Sequence, residues 1–237
     1  MGGVGLREAF PMLPMMLAQT AYGRAGGVTL LAMALLFALR LWPGGTGAPA
    51  GTAALAGAAQ LAALFALAVF AVTRASMGHA GENGFWTVPL AAEALHLGAV
   101  GVWTGAVLVS GWLVLGRPQV GGLAGAAIGS YLEHMSRAAM VAVAVIAATG
   151  VYNGWHRVGS SAHLLHTEYG WTLLAKVTLV LAAIGLGGYN KYAGLPAAAR
   201  SARGLALVRA VLQLESILLL GALAAAAVLT SQQPPTA

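Results

Sequence analysis

The sequence predicts an all-α, polytopic membrane helical bundle of about six transmembrane helices, and three observations carry that reading. The 237-residue chain is 59% hydrophobic and only 8% charged, whereas a soluble domain carries about 25% charged residues. Its apolar runs are about 20 residues long, enough to cross roughly 30 Å of hydrocarbon as helices. None shows the two-residue alternation of a barrel strand. The 33 glycines suit close helix–helix contact in lipid.

Each element follows from where the apolar runs stop. Residues 1–24 read as an N-terminal interfacial segment, because the apolar run Phe10 to Leu17 is short and broken by Pro11 and Pro14. The transmembrane domain covers residues 25–230. Its first span, 25–42, ends at Arg40 and Trp42, and a Pro/Gly turn follows at 43–51. The second, 52–73, stops before Arg74, and a polar loop runs from 75 to 88. The third, 89–116, stops before Arg117-Pro118. A loop with a short amphipathic stretch, 117–136, leads to the fourth span, 137–154. The loop 155–169 holds His156, Arg157, His163, His166 and Glu168. The fifth span, 170–189, leads through Asn190 and Lys191 to a basic connection. The sixth, 205–230, precedes a polar tail at 231–237.

Arg40, Arg117, Arg137, Lys191, Arg200, Arg203 and Arg209 fall at one face, against Arg7, Arg24, Arg74 and Arg157 at the other. The excess puts the first face in the cytoplasm. The net charge of +6 therefore reflects orientation and not a nucleic-acid partner. The expected partner of the surface is the lipid bilayer of a bacterial inner membrane. The N-terminal residues Met1 to Glu8 lack the basic-then-apolar layout of a cleavable signal. No Gly-x-x-x-x-Gly-Lys motif for nucleotide binding occurs, and the chain reads as a non-enzyme. A weak internal repeat is visible: Thr20-Ala21-Tyr22-Gly23 before the first span and Thr167-Glu168-Tyr169-Gly170 before the fifth, as parallel repeats about the membrane normal would give.

Cysteine is absent, so thiolate sites and disulfides are excluded and ligation falls to His, Met and carboxylate. Met77 and His79 sit in the outer loop, where a thioether and an imidazole favour Cu(I); the bland alternative is a solvated loop histidine. Glu93 and His96 are three apart on one helical face, His96 roughly two turns inside the third span and Glu93 one turn above it. An ionisable group at that depth is costly and points to function, although a packed polar pair would also satisfy it. His156, His163 and His166 share one outer loop, in which a short helix would put His163 and His166 on one face. Met12, Met15 and Met16 fit gap filling best, with copper delivery as the sharper reading. Lys176 and Glu215 are the remaining intramembrane charges, and their depths suggest a structural buried pair.

Several of these stretches resemble the copper-resistance protein D (CopD) family. They are Ser76-Met77-Gly78-His79-Ala80, then Glu93-Ala94-Leu95-His96 followed by Trp103-Thr104-Gly105. Met135-Ser136-Arg137 leads on to Thr149-Gly150-Val151-Tyr152-Asn153-Gly154-Trp155. Thr167 to Gly170 with Lys176, then Asn190, and Arg209 with Glu215 complete the likeness. It covers residues 76–230 well and 19–75 loosely. Departures are Glu93 where Asp is more usual, Thr104 after Trp103, and six spans where the family usually has eight. The resemblance implies an inner-membrane protein of copper transport or resistance, working beside a periplasmic copper carrier or other membrane subunits. His79 and His96 match family histidines that are the natural ligand candidates. Two alternatives stay open: a b-type haem protein of electron transfer, for which a second helix-borne histidine is required, and an accessory helical subunit of a larger membrane complex.

Overall fold

The structure, a computed structural model, describes residues 11, 13–41, 53–81, 84–116, 125–158 and 160–232. Among them the regular structure is helical throughout. The chain divides into two compact units, Met1–Gly98 and Ala99–Ala237.

In the first unit a short helix, α1 (Leu13–Gln19), leads into α2 (Ala21–Leu41). Thr20 caps α2, its Oγ1 accepting from the Gly23 N–H at 2.9 Å. The second span is α3 (Ala53–Ser76). It packs along α2, and the two hydroxyls of Thr29 and Thr73 share a hydrogen bond of 2.8 Å. In lipid such a bond joins helices that apolar surface alone does not hold together. A single 3₁₀ turn, His79–Gly81, closes the outer loop. Gly84 takes φ of 99°, a conformation that suits glycine alone. The helix α4 (Val88–Leu108) then starts under Thr87, with Pro89 in its first turn.

The second unit begins within α4, which continues as a π turn, Val109–Val114. Two long helices follow, α5 (Gly125–Val158) and α7 (Glu168–Tyr189), joined by the short helix α6 (Ser161–His166). Within the expected loop 155–169, Ser161–His166 thus forms the short helix that carries His163 and His166. A second π turn, Asn190–Gly194, runs into α8 (Leu195–Ala198), and α9 (Ala202–Ser231) returns across the unit. The closest packing is α9 against α7. Gln232 Nε2 donates to Thr172 Oγ1 at 3.2 Å, which ties the end of α9 to the start of α7. Trp103, Val107, Leu132, Ala183, Val208 and Leu212 form the centre of the core.

Among the described residues five helices are long and apolar enough to cross a membrane, and α2 adds a shorter apolar stretch, Gly23–Ala38. Three boundaries differ from the sequence expectation. The helix of the first span starts at Ala21, where Thr20 caps it, four residues before the expected 25. The amphipathic stretch and the fourth span are one helix of 34 residues, about 51 Å long. It therefore runs well beyond the hydrocarbon, and there Glu133 pairs with Arg137 at 3.4 Å on its exposed surface. The helix after the fifth span continues past Tyr189 through the π turn to Ala198.

Both π turns have identifiable causes. In the first, Leu115 N–H bonds Ser110 O at 3.0 Å, five residues back, so Gly111 O loses its usual partner. Gln213 Nε2 of α9 donates to that oxygen at 3.3 Å. A Cβ at Gly111 would lie 3.1 Å from Leu212 Cβ and 3.2 Å from Gln213 N, so only glycine lets the two helices approach this closely. In the second, Pro196 supplies no N–H and its ring crowds the carbonyl four residues back. The wider turn before it relieves that crowding.

Candidate functional site

The first unit holds Met77, Glu93 and His96. His96 is 9% exposed and lies in α4 one turn after the half-buried Glu93. Met77 follows the end of α3, and its Cε is 3.8 Å from where a Cβ at Gly26 would sit. The side chain of His79 lies outside the described residues, although its backbone starts the 3₁₀ turn. Met12 and the Met16 side chain also lie outside them; Met15 is exposed.

The histidines near the other junction are fixed locally. His156 Nδ1 donates to Tyr152 O at 3.0 Å, and the two rings lie with centroids 4.2 Å apart. His163 Nδ1 donates to Val158 O at 3.0 Å. A carbonyl only accepts, so in both rings Nδ1 carries a proton and Nε2 is the nitrogen that can ligate. His163 is half-buried and His166 exposed. Among the described residues no three His, Asp or Glu side chains gather as a metal cluster.

Glu215 is 2% exposed in the middle of α9. Depth alone suggests Lys176 as its partner. The structure instead gives it Trp103, whose Nε1 donates to Glu215 Oε1 at 2.9 Å. The helix register explains the difference. The α7 residue facing the carboxyl is Gly187, where a Cβ would lie 3.4 Å from Glu215 Oε1. Lys176 is eleven residues earlier on that helix, about 16 Å along its axis. Sequence reasoning did not pick Trp103 as a site residue. The usable signal was an indole N–H deep in a span, which needs an acceptor when buried.

Glu215 and Trp103 also wall a cavity of about 260 Å³ in the second unit. Met135 and Met140 of α5 line it, together with Asn190 and Lys191 of the second π turn. Asn190 is 6% exposed, its Nδ2 donates to Val208 O at 3.4 Å, and its Oδ1 has no hydrogen-bond partner. Lys191 Nζ contacts Met140 Sδ at 2.6 Å. The arrangement offers sulfur and oxygen electron pairs inside an otherwise apolar wall.

Comparison with known proteins now bears on these residues. Residues 125–229 match the family described as Copper resistance protein D, CopD. The Copper resistance protein D of Pseudomonas syringae pv. tomato is 30% identical over 233 residues, which cover 92% of this chain and 71% of that protein. The chain belongs to the CopD family. It is accordingly a membrane protein of copper resistance, as the sequence resemblance implied. The CopD match includes Met135, Met140, Asn190, Lys191 and Glu215, while Glu93 and His96 precede it. No solved structure matches the chain.

Proposed function

We propose that this CopD protein binds copper in the inner membrane and carries it across, collecting the ion at the periplasmic face through Met77 and His79 and receiving it on Glu93 and His96. The observation that carries the reading is His96, buried in a membrane-spanning helix one turn from a carboxylate. Such placement is costly in lipid and is kept where an ion or proton passes. Thioether, imidazole and carboxylate together suit Cu(I). A low ligand count is compatible with that ion, and it explains why a site can exist without a cluster of three His, Asp or Glu. A periplasmic copper carrier would meet the protein at the loop of Met77 and His79.

The haem alternative asks for two imidazoles facing one another inside the bundle. Of the histidines whose side chains are described, His96 is the buried one. The test uses detergent-purified full-length protein, supplied with haem and copper during expression. Wild type is compared with the His79→Ala/His96→Ala variant by metal analysis and visible spectrum. Copper in the wild type, its loss in the variant and no Soret band are expected. Copper retained in full by the variant would remove these histidines from the site, and a Soret band lost in the variant would replace copper by haem.

A further inference from the structure

The cavity walled by Glu215 is largely apolar, and the few polar groups in its wall, Lys191 apart, are mostly ones that give electron pairs. Asn190 Oδ1 is buried without a donor, a condition that costs about 1–3 kcal/mol. Glu215 receives one protein donor, the Trp103 indole, although a carboxylate has about four lone-pair sites. Met135 and Met140 add two thioethers. The cation already at the site is Lys191, whose ammonium rests against Met140 Sδ. A cavity lined in this way calls for a positively charged guest, and thioether sulfur selects a soft one.

The geometry points to this cavity as a second, membrane-embedded binding site for a soft monovalent cation, Cu(I), ligated by Met135, Met140 and Glu215 with Asn190 Oδ1 beside them, and with Lys191 as a tethered cation that must leave Met140 when the ion enters. The inference rests on the copper reading above but uses none of its residues. The cavity is larger than one ion, so its walls close around the guest. Methionine suits that role, being unbranched, with several rotatable bonds and a polarizable sulfur. The π turn that carries Asn190 and Lys191 is the second adjustable part, a kind of helix defect frequent at functional sites. Lys191 and Cu(I) both compete for the Met140 sulfur and repel each other, so the lysine sets a threshold for occupancy.

The test is Cu(I) binding to the full chain in detergent, under reducing, anaerobic conditions, in competition with a chromophoric Cu(I) chelator. Wild type is compared with Met135→Leu/Met140→Leu, Lys191→Gln and Met77→Leu/His96→Ala. Methionine to leucine nearly conserves volume, and thermal unfolding checks each variant; Met140→Leu alone gives the same readout should the double variant fail to fold. The methionine pair is expected to lose one Cu(I) equivalent that Met77→Leu/His96→Ala retains. Lys191→Gln is expected to tighten that equivalent about tenfold, because a nearby like charge is gone. Full stoichiometry in the methionine variant overturns the cavity site while leaving the Glu93–His96 reading intact. No Cu(I) bound by the wild type overturns both. An affinity unchanged or weakened in Lys191→Gln overturns the competitor role of the lysine.

Discussion

Replacing Trp103 by Phe removes the indole N–H together with part of a buried ring. The hydrogen bond lost is the 2.9 Å contact to Glu215 Oε1, between two side chains that are 3% and 2% exposed. Two scales bear on its size. A bond to a charged group in a water-soluble protein is worth about 1.5–3 kcal/mol. Side-chain bonds between membrane helices average about 0.6 kcal/mol and reach about 1.7, because the unfolded chain in lipid also finds partners. Among the described residues Glu215 has no second protein donor, so the upper membrane value applies and loss of this bond should cost about 1–2 kcal/mol, with the smaller ring adding a packing cost of its own. The assay is reversible unfolding in mixed micelles, run as a double-mutant cycle with Glu215→Leu. In the Glu215→Leu background the Trp103→Phe change should cost far less, since the acceptor is gone. The coupling isolates the bond from the packing of the ring. Strict additivity of the two changes would refute the assignment of Trp103 as the group that keeps Glu215 buried.

Two further perturbations separate close contact from surface decoration. Gly111→Leu should destabilise the protein strongly, by several kcal/mol, since a Cβ already meets Leu212 and Gln213 at 3.1 and 3.2 Å; Gly185→Ala, where a Cβ meets nothing within 4 Å, should be tolerated, and unfolding in the same micelles compares them. Glu133→Gln breaks the 3.4 Å pair with Arg137, whose side chains are both exposed, so its effect on unfolding should stay within about 0.5 kcal/mol.

The helices were legible because their signal is length and apolarity, which the bilayer imposes on each span separately. Where the ends fall was less legible, because the end of a hydrophobic run marks the edge of the hydrocarbon and not the end of a helix. The helix α5 shows this: its first turns are amphipathic and charged, yet they continue the same helix beyond the lipid. The apparent repeat is also local chemistry in part. Thr20 and Thr167 each cap a helix by accepting from the N–H three residues on, Gly23 and Gly170, and Ser201 does the same with Gly204. A shared Thr-x-Tyr-Gly therefore marks a shared capping requirement, which needs no duplicated half.

The candidate site divides along the same line. Glu93 and His96 could be read from the sequence because three residues apart on a helix means one face, a property of the helix alone. The surroundings of Glu215 could not, because they depend on register between helices. Counting depth from span ends brings Lys176 within reach, but a register set by Gln232 against Thr172 at one end puts Gly187 beside the carboxyl instead. The two π turns shift register further, and each arises from a contact or a proline whose consequence appears only when a neighbouring helix is in place. Met135 and Met140 were hidden for a different reason. In an apolar span a methionine looks like packing, and only the convergence of α5, α9 and the 190–194 turn puts Met135 and Met140 in one cavity wall with Glu215 and Asn190. For a membrane protein without cysteine, candidate soft-metal ligands are thus residues whose meaning depends on tertiary neighbours, and the sequence signal is strongest where the candidates share a single helix.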